Sequence, residues 1–558
     1  MNLKNQPSYI AWRFYLILAV VFLAVAGLMT RVMYLSSWNQ SFLRKQGDDR
    51  VLRMVSTPAF RGMIVDRNGY PLAVSTTVYS AWMNPKEFDP NKIQLKSFAT
   101  LLEMETKDIT TILNRDKAKK REFAYIKRSL SPELAAKIKA LNLKGIYLQE
   151  DYRRYYPEGE ITAHVIGFTN IDDHGQEGLE LAYNQWLEGE QGKKWVIKDR
   201  LGRTISDVQT ISDQQPGHDL VLSIDRRIQY LAYRELLTGV AENKAKSGSA
   251  VVLDAKTGEI LAMVNVPSYN PNNRPTRMSD VYRNRAVTDT FEPGSTVKPF
   301  SVALALSSKK FTPNTVIDTT PGWMRVGKNI VKDHESKGAL TVAQILQYSS
   351  NVGITKMMLG FNPNQLWNLL HNAGFGEETE VRFPGEQHGS LVKHDPWGQF
   401  VFATYAFGYG ISVNTLQLAR AYTIFANDGM RYPVSLLRLS QFPQGEQVIQ
   451  PKIAREILAM LESVTEKGGT AEAARVPGFR IAGKTGTSKL AGNGGYLNHR
   501  YSSSFVGIAP LTNPRVIIVV MINDPQGKNY FGGWVSGPIF SRIMEGTLRI
   551  LDVPPDEK

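Results

Sequence analysis

The chain has 558 residues, 42% hydrophobic and 21% charged, enough to bury large cores in roughly two to four domains without a stapling metal or disulfide. Lys and Arg number 66 against 52 Asp and Glu, and the net charge of +14 suits an anionic membrane surface without selecting a partner. Cysteine is absent, which excludes disulfide frameworks, thiol catalysis and cysteine-ligated metals, while the composition excludes bulk disorder and a multi-spanning membrane protein.

The first element is apolar. No charge interrupts Phe14 to Thr30, and Arg31 can snorkel, so 14–35 reads as a transmembrane anchor after a tail at 1–13. Its length matches a ~30 Å hydrocarbon core at about 1.5 Å per residue. Ala24-Val25-Ala26 resembles a signal-peptide cleavage site but lies inside the apolar run, which favours an uncleaved anchor. Lys4 and Arg13 precede the span while Arg31, Arg44, Lys45, Arg50 and Arg53 follow it, so flanking charge does not set the orientation.

Residues 36–218 read as a separate mixed domain. Its basic stretch Arg115–Arg121 is expected to be a solvated helix face, with no nucleic-acid role. A polar break at Asp213–Gly217 reads as a linker, and a second domain follows at 219–552, with a tail at 553–558. Within it, Asp225–Ala241 has helical spacing, and Ser249–Leu253 and Glu259–Val264 flank the turn Asp254–Gly258. Residues 290–475 read as mostly helical. Three strands are expected at Phe479–Thr487, Ser503–Ile508 and Val516–Ile522, the last continuously apolar and therefore central, before a helix at Gly537–Leu551. The fold expected is α+β: an antiparallel sheet with terminal helices and a helical subdomain.

Three short motifs occur in order: Ser295-Thr296-Val297-Lys298, Ser349-Ser350-Asn351 and Lys484-Thr485-Gly486-Thr487. Each is weak alone, because Ser307-Ser308-Lys309-Lys310, Ser37-Trp38-Asn39 and Lys256-Thr257-Gly258 match the same patterns; a helix end and a hairpin turn account for the first and last. Together they form the S-x-x-K, S-x-N and K-T-G set of penicillin-binding proteins and class A β-lactamases. Ser295 would sit near a helix start, with Lys298 over the same face. Desolvation and a second cation, Lys484, would favour a neutral Lys298 able to take the Ser295 proton. Ser349 can relay that proton, and Asn351 can hold the Lys298 amine and a substrate amide. Lys484–Thr487 should form an edge strand that pairs with an extended peptide and receives a carboxylate. The N–H groups of Ser295 and Thr487 would make the oxyanion hole.

On these motifs, residues 225–550 resemble the transpeptidase domain of class B penicillin-binding proteins, and the whole chain is similar to the septal, FtsI-type members of Gram-negative bacteria. Pro267-Ser268-Tyr269-Asn270-Pro271, Gly408-Tyr409-Gly410 and Ile522-Asn523-Asp524-Pro525 extend the match. So do Arg61–Gly69, Arg153–Pro157 and Gly175–Glu180 upstream. The resemblance implies a penicillin-binding, serine β-lactamase-like domain preceded by an elongated pedestal or dimerisation-type domain. It implies a cofactor-free and metal-free D,D-transpeptidase that acylates Ser295 with D-Ala-D-Ala stem peptides, or with β-lactams that mimic them. Ser350, Tyr409, Thr485, Gly486 and Thr487 would bind substrate, and Tyr530 and Phe531 would form an aromatic wall. The membrane polymerase FtsW and other divisome proteins are the implied partners. The catalytic domain would be periplasmic, on a single-pass inner-membrane anchor.

Other readings differ in testable ways. A D,D-carboxypeptidase differs only in its acyl acceptor. A β-lactam sensor needs a cytoplasmic output for which the short first segment leaves little room, and the intact Ser295, Lys298 and Lys484 argue against a silent division scaffold. The charged residues Arg61, Asp66, Arg67 and Glu180 are expected either to dock partners or to hold their own domain together.

Overall fold

The computed structural model describes residues 9–198, 204–274, 279–492 and 494–557. Residues 1–8 of the expected tail, with Lys4, and Lys558 lie outside them. Helix α1, Tyr9–Met33, starts ahead of the expected span, and Trp12–Trp38 is long and apolar enough to cross a membrane.

Contacts divide the chain into two units that interleave in sequence. One takes the chain up to Ala59, Thr77–Asp151 and Glu190–Pro216; the other takes Phe60–Thr76, Tyr152–Gly189 and Gly217–Lys558. The contacts therefore do not follow a single cut at 218: the motifs at 61–69, 153–157 and 175–180 belong to the unit that carries Ser295–Lys298, Ser349–Asn351 and Lys484–Thr487.

In the first unit, Phe98, Leu102, Ile109, Ile138, Ala81 and Met83 form a core of their own. Two of its helices start on local signals: Asn91 and Gln94 make a reciprocal cap before Lys92–Leu101, and Ser131 caps Pro132–Ala140. The basic stretch is anchored by one acid. Asp116 is buried and pairs with Arg115 at 2.7 Å and Arg121 at 3.2 Å, leaving both guanidiniums largely exposed. A three-stranded sheet of Leu52–Thr57, Gly192–Lys198 and Thr204–Ser212 completes the described part.

The second unit is built on helix α2 (Arg226–Glu242), strands β1 (Ser247–Asp254) and β2 (Ile260–Val266), helices α3 (Lys298–Ser307), α4 (Asn351–Met358) and α5 (Thr415–Ala426), strands β3 (Ala482–Gly492), β4 (Gly495–Ala509) and β5 (Val516–Asn523), and helix α6 (Gly532–Ile550). The strands form one antiparallel sheet in the order β2-β1-β5-β4-β3. The continuously apolar β5 is central, and the Lys-Thr-Gly strand β3 is an edge, as its sequence requires. Strand alternation sends neighbours to opposite faces. Gly248 abuts Leu236 and Val240 of α2, whereas Ser249 Oγ meets Thr415 Oγ1 of α5 at 2.8 Å. Helix α5 is buried along its whole length, so each of Leu416, Leu418 and Phe425 contributes about 1.5–3 kcal/mol by burial.

Both tested decoys fall where local chemistry puts them. Lys256-Thr257-Gly258 is the β1–β2 turn, with Asp254 Oδ1 accepting from the N–H groups of Lys256 and Thr257. Ser307 ends α3, its hydroxyl donating back to Ala303 O. Residues 290–475 are less uniformly helical than expected, because Trp323–Val326 and Asn329–Lys332 pair as a hairpin. The described part of the expected tail, 553–557, is tied to the domain: Asp556 accepts from the N–H groups of Arg480 and Thr512.

The upstream charged motifs are mostly buried. Arg61 and Arg154 both pair with Glu180, at 2.7 and 2.6 Å, with all three side chains no more than 1% exposed. Asp66 Oδ1 accepts from the N–H groups of Asn68 and Tyr70, and its Oδ2 accepts from Arg226 N at the start of α2. Arg67, more open, reaches Glu259 at 3.2 Å.

Candidate active site

Ser295 lies in a 3-10 turn, Gly294–Val297, that runs directly into α3. Lys298 opens that helix and Pro299 follows within its first turn, where a missing N–H breaks no helical bond. Gly294 has φ +54°, and a side chain there would press on Thr487 O at 3.2 Å. Gly486 has a similar reason: a Cβ would lie 2.3 Å from Ser504 Oγ and 2.8 Å from Pro293 O. The serine turn and the edge strand thus touch because two glycines let them, and Thr487 comes beside the turn of Ser295.

Ser349 is the meeting point. Its backbone sits at φ +58°, an uncommon region for a residue with a side chain. Its Oγ accepts from Lys298 Nζ at 3.1 Å and from Lys484 Nζ at 3.0 Å, and its carbonyl accepts from Lys298 Nζ at 2.5 Å. Both lysines are fully buried. Burial first, then the neighbouring charge of Lys484, holds the Lys298 ammonium well below its usual value, while Asp333 acts weakly the other way. Burial alone pushes Lys484 down to about 7. An ammonium of Lys298 or Lys484 only donates, so a hydroxyl shared between them can pass a proton toward either only when that amine is neutral.

The second motif is held by a residue that sequence reasoning missed. Asp333 Oδ2 accepts from Ser350 Oγ at 2.6 Å and Oδ1 from Val352 N at 2.9 Å, fixing the start of α4. Ser350 also caps that helix by accepting from Gly353 N, so its hydroxyl is committed to structure. Asn351 departs from expectation: its Nδ2 donates to Lys332 O at 2.9 Å, and no hydrogen bond links it to Lys298. The carbonyl that holds the Lys298 amine comes from Ser349 instead. Lys332 ends the short hairpin and Asp333 follows it, and the hairpin's alternation was hidden within a stretch read as helical; only that alternation could have flagged them.

The remaining candidates spread around this cluster. Thr485 is buried, with Oγ1 facing Thr470 at 3.5 Å and Lys484 Nζ at 3.4 Å. Thr487 Oγ1 accepts from Gly532 N at 3.0 Å. Tyr530 stacks on Tyr501 with centroids 4.0 Å apart, and Phe531 packs against Tyr530 and against His334, next to Asp333. Tyr409 and Asn351 line one cavity of about 800 Å³ together with Lys332, Lys489 and Tyr496. No cluster of His, Asp or Glu suited to a metal occurs among the described residues.

Comparison with known proteins agrees with this geometry. The family model "Penicillin binding protein transpeptidase domain" matches residues 248–545, and "Penicillin-binding Protein dimerisation domain" matches 56–222. The chain is 43% identical over 558 residues to "Peptidoglycan D,D-transpeptidase FtsI" of Escherichia coli, covering 99% of this chain and 94% of that protein. It is 42% identical to "Probable peptidoglycan D,D-transpeptidase PbpC" of Pseudomonas aeruginosa, covering 98% of this chain and 96% of that one. Among solved structures, the transpeptidase domain of Burkholderia pseudomallei penicillin-binding protein 3 is 42% identical with a TM-score of 0.56, covering 60% of this chain and 98% of that one. A peptidoglycan synthetase from Bifidobacterium adolescentis, 26% identical, has a TM-score of 0.72 and covers 91% of this chain and 98% of its own. This chain therefore belongs to the class B penicillin-binding proteins, of the FtsI type.

Proposed function

We propose that this chain is a membrane-anchored peptidoglycan D,D-transpeptidase that cross-links stem peptides at the division septum, with Ser295 as nucleophile and Lys298 as base. The observation that carries the reading is the pair of buried lysines sharing the Ser349 hydroxyl. Neutral Lys298 takes the proton of Ser295 Oγ as that oxygen bonds to the penultimate D-Ala carbonyl. The N–H groups of Ser295 and Thr487 hold the oxyanion, a contribution worth roughly 10²–10³ in rate. The proton then passes to the leaving nitrogen, directly or through Ser349, as the C–N bond breaks and terminal D-Ala departs. An amine of a neighbouring stem attacks the ester, forms the new amide and returns the proton to Ser295. A β-lactam acylates the same oxygen, but its leaving nitrogen stays tethered within the adduct. Lys484 and Thr485–Thr487 take the donor's terminal carboxylate and backbone, with Gly486 serving close packing.

On this reading the catalytic unit faces the periplasm, where the substrate lies, and the glycan strands come from a polymerase of the FtsW type. Incubating the purified full-length protein with pentapeptide donor and acceptor stems, then separating products, tests the activity. Cross-linked dimer and free D-Ala are expected, and both should vanish in Ser295→Ala. Free D-Ala with no dimer would overturn the reading in favour of hydrolysis.

A further inference from the structure

A second cavity, of about 380 Å³, lies apart from the catalytic cluster, where the segment around Glu177 meets two loops of the same unit that carry Arg283 and Phe383. That volume suits a small ligand. The lining brings both signs of charge together. Glu177 is half-buried there, and no hydrogen bond or ion pair among the described residues reaches its carboxylate. Burial, with no partner to oppose it, holds that carboxyl above its ordinary value. His164 also lines the cavity but brings no charge to meet it. Its Nε2 donates to Val281 O at 2.8 Å, and burial pushes the imidazolium down to about 4. Arg283 supplies the opposite sign. It lies 3.5 Å from Asp289 Oδ2, an oxygen that already accepts from Arg285 at 2.8 Å. One carboxylate thus serves two guanidiniums, and among the described residues positive charge is left in excess beside the cavity. Tyr282 and Phe383 add aromatic surface.

Two opposite charges that are not spent on each other call for a ligand that carries both. An ammonium group at Glu177 and a carboxylate at Arg283 would each form a charge-assisted hydrogen bond, and either end alone would leave one charge unanswered. We propose that this cavity is an accessory binding site for a zwitterionic amino acid or dipeptide, with Glu177 receiving the ammonium and Arg283 the carboxylate. Free D-Ala, which the proposed reaction releases, and D-Ala-D-Ala, which ends its donor, both belong to this class. The site is separate from the acylated serine, so the inference does not rest on Ser295 being the nucleophile.

The test titrates the full-length protein, pretreated with benzylpenicillin to occupy the catalytic cleft, with D-Ala and D-Ala-D-Ala by saturation-transfer NMR. Two blocked ligands serve as controls: N-acetyl-D-Ala-D-Ala lacks the ammonium, and D-Ala-D-Ala amide lacks the carboxylate. Saturable binding of a zwitterion is expected, with each blocked form about tenfold weaker. Glu177→Gln should weaken the better zwitterion about tenfold yet leave the N-acetyl form within about twofold. Arg283→Gln, at a side chain 49% exposed, should weaken the zwitterion about fivefold and leave the amide unchanged. That second variant decides the matter if Glu177→Gln does not fold. Tighter binding of D-Ala would make the released product the ligand, and tighter binding of D-Ala-D-Ala the dipeptide; either upholds the class. No saturable binding of either zwitterion, blocked forms that bind as well, or variants that weaken blocked and free ligands equally would each overturn the proposal. A drug that fails to modify Ser295 would reject the nucleophile proposed above and leave the outcomes at Glu177 and Arg283 readable.

Discussion

Two buried clusters in the same unit each bring two cations together, and they differ in what sits between them. Arg61 and Arg154 share the carboxylate of Glu180, while Lys298 and Lys484 share only the hydroxyl of Ser349. In the first, opposite charges face one another, and removing the acid would strand two guanidiniums that cannot discharge. In the second, no carboxylate among the described residues bonds either amine, and burial, with the charge of Lys484 added at Lys298, disfavours the ammonium forms. The same burial that makes one cluster a brace suits the other to the proposed role of a base. Residue type explains the division, since lysine titrates on burial and arginine does not.

Substitutions that exchange these roles should break the comparison. The largest effect is expected from Ser295→Ala, which should abolish the one-drug mass increase seen by intact-protein mass spectrometry after penicillin treatment. Lys298→Arg keeps a cation but removes any base able to work near neutral pH, and acylation should fall by about 10²–10⁴ with the fold retained. An arginine variant acylating at the wild-type rate would remove Lys298 from its role. Glu180→Ala should do the reverse, leaving acylation per folded molecule near wild type while costing about 3–5 kcal/mol of stability. A Glu180→Ala protein that melts normally yet fails to support septation in a depletion strain would make the acid a docking residue, against its burial.

Stability against pH sharpens the same contrast. Lys484 titrates at about 7 when folded against an ordinary 10.5, so between those values the unfolded chain holds a proton the folded chain lacks. Stability from this group therefore rises with pH across that window. Lys484→Met should melt higher than wild type at pH 7, with the gap narrowing toward pH 10, as scanning calorimetry can measure. A gap that is constant or widens would contradict the burial of a neutral amine. Smallest of all, Ser307→Ala should change neither acylation nor melting, within about 0.5 kcal/mol, because that serine only closes the end of α3.

Much of this was legible in the sequence, for physical reasons that can be traced. The uniform apolarity of Val516–Ile522 marks a central strand, and the structure buries β5 between β1 and β4. The order of the three motifs carries the site because chemistry restricts residue type at each point, and Ser349 joins both lysines as that chemistry needs. What stayed hidden was set by tertiary pairing. Nothing local marks Asp333 as the anchor of Ser350, or turns Asn351 toward Lys332. The meeting of Arg61 and Arg154 on Glu180 depends on the chain returning to Arg61 across more than a hundred residues, so glycine-punctuated charge could equally signal docking. Two helix starts of the first unit, by contrast, follow from the local caps at Asn91 and Ser131.

The central claim is that two lysines without a carboxylate produce a neutral base at physiological pH, and the pH profile of Ser295 acylation tests it most directly. The second-order rate constant for penicillin acylation of the wild-type protein should be measured from pH 5 to 10.5, the range in which a free-enzyme base shows its own titration. The account predicts an acid limb displaced well below the 10.5 of an ordinary lysine, because burial and the charge of Lys484 disfavour the Lys298 ammonium. An acid limb near 10, where an ordinary lysine loses its proton, would contradict it.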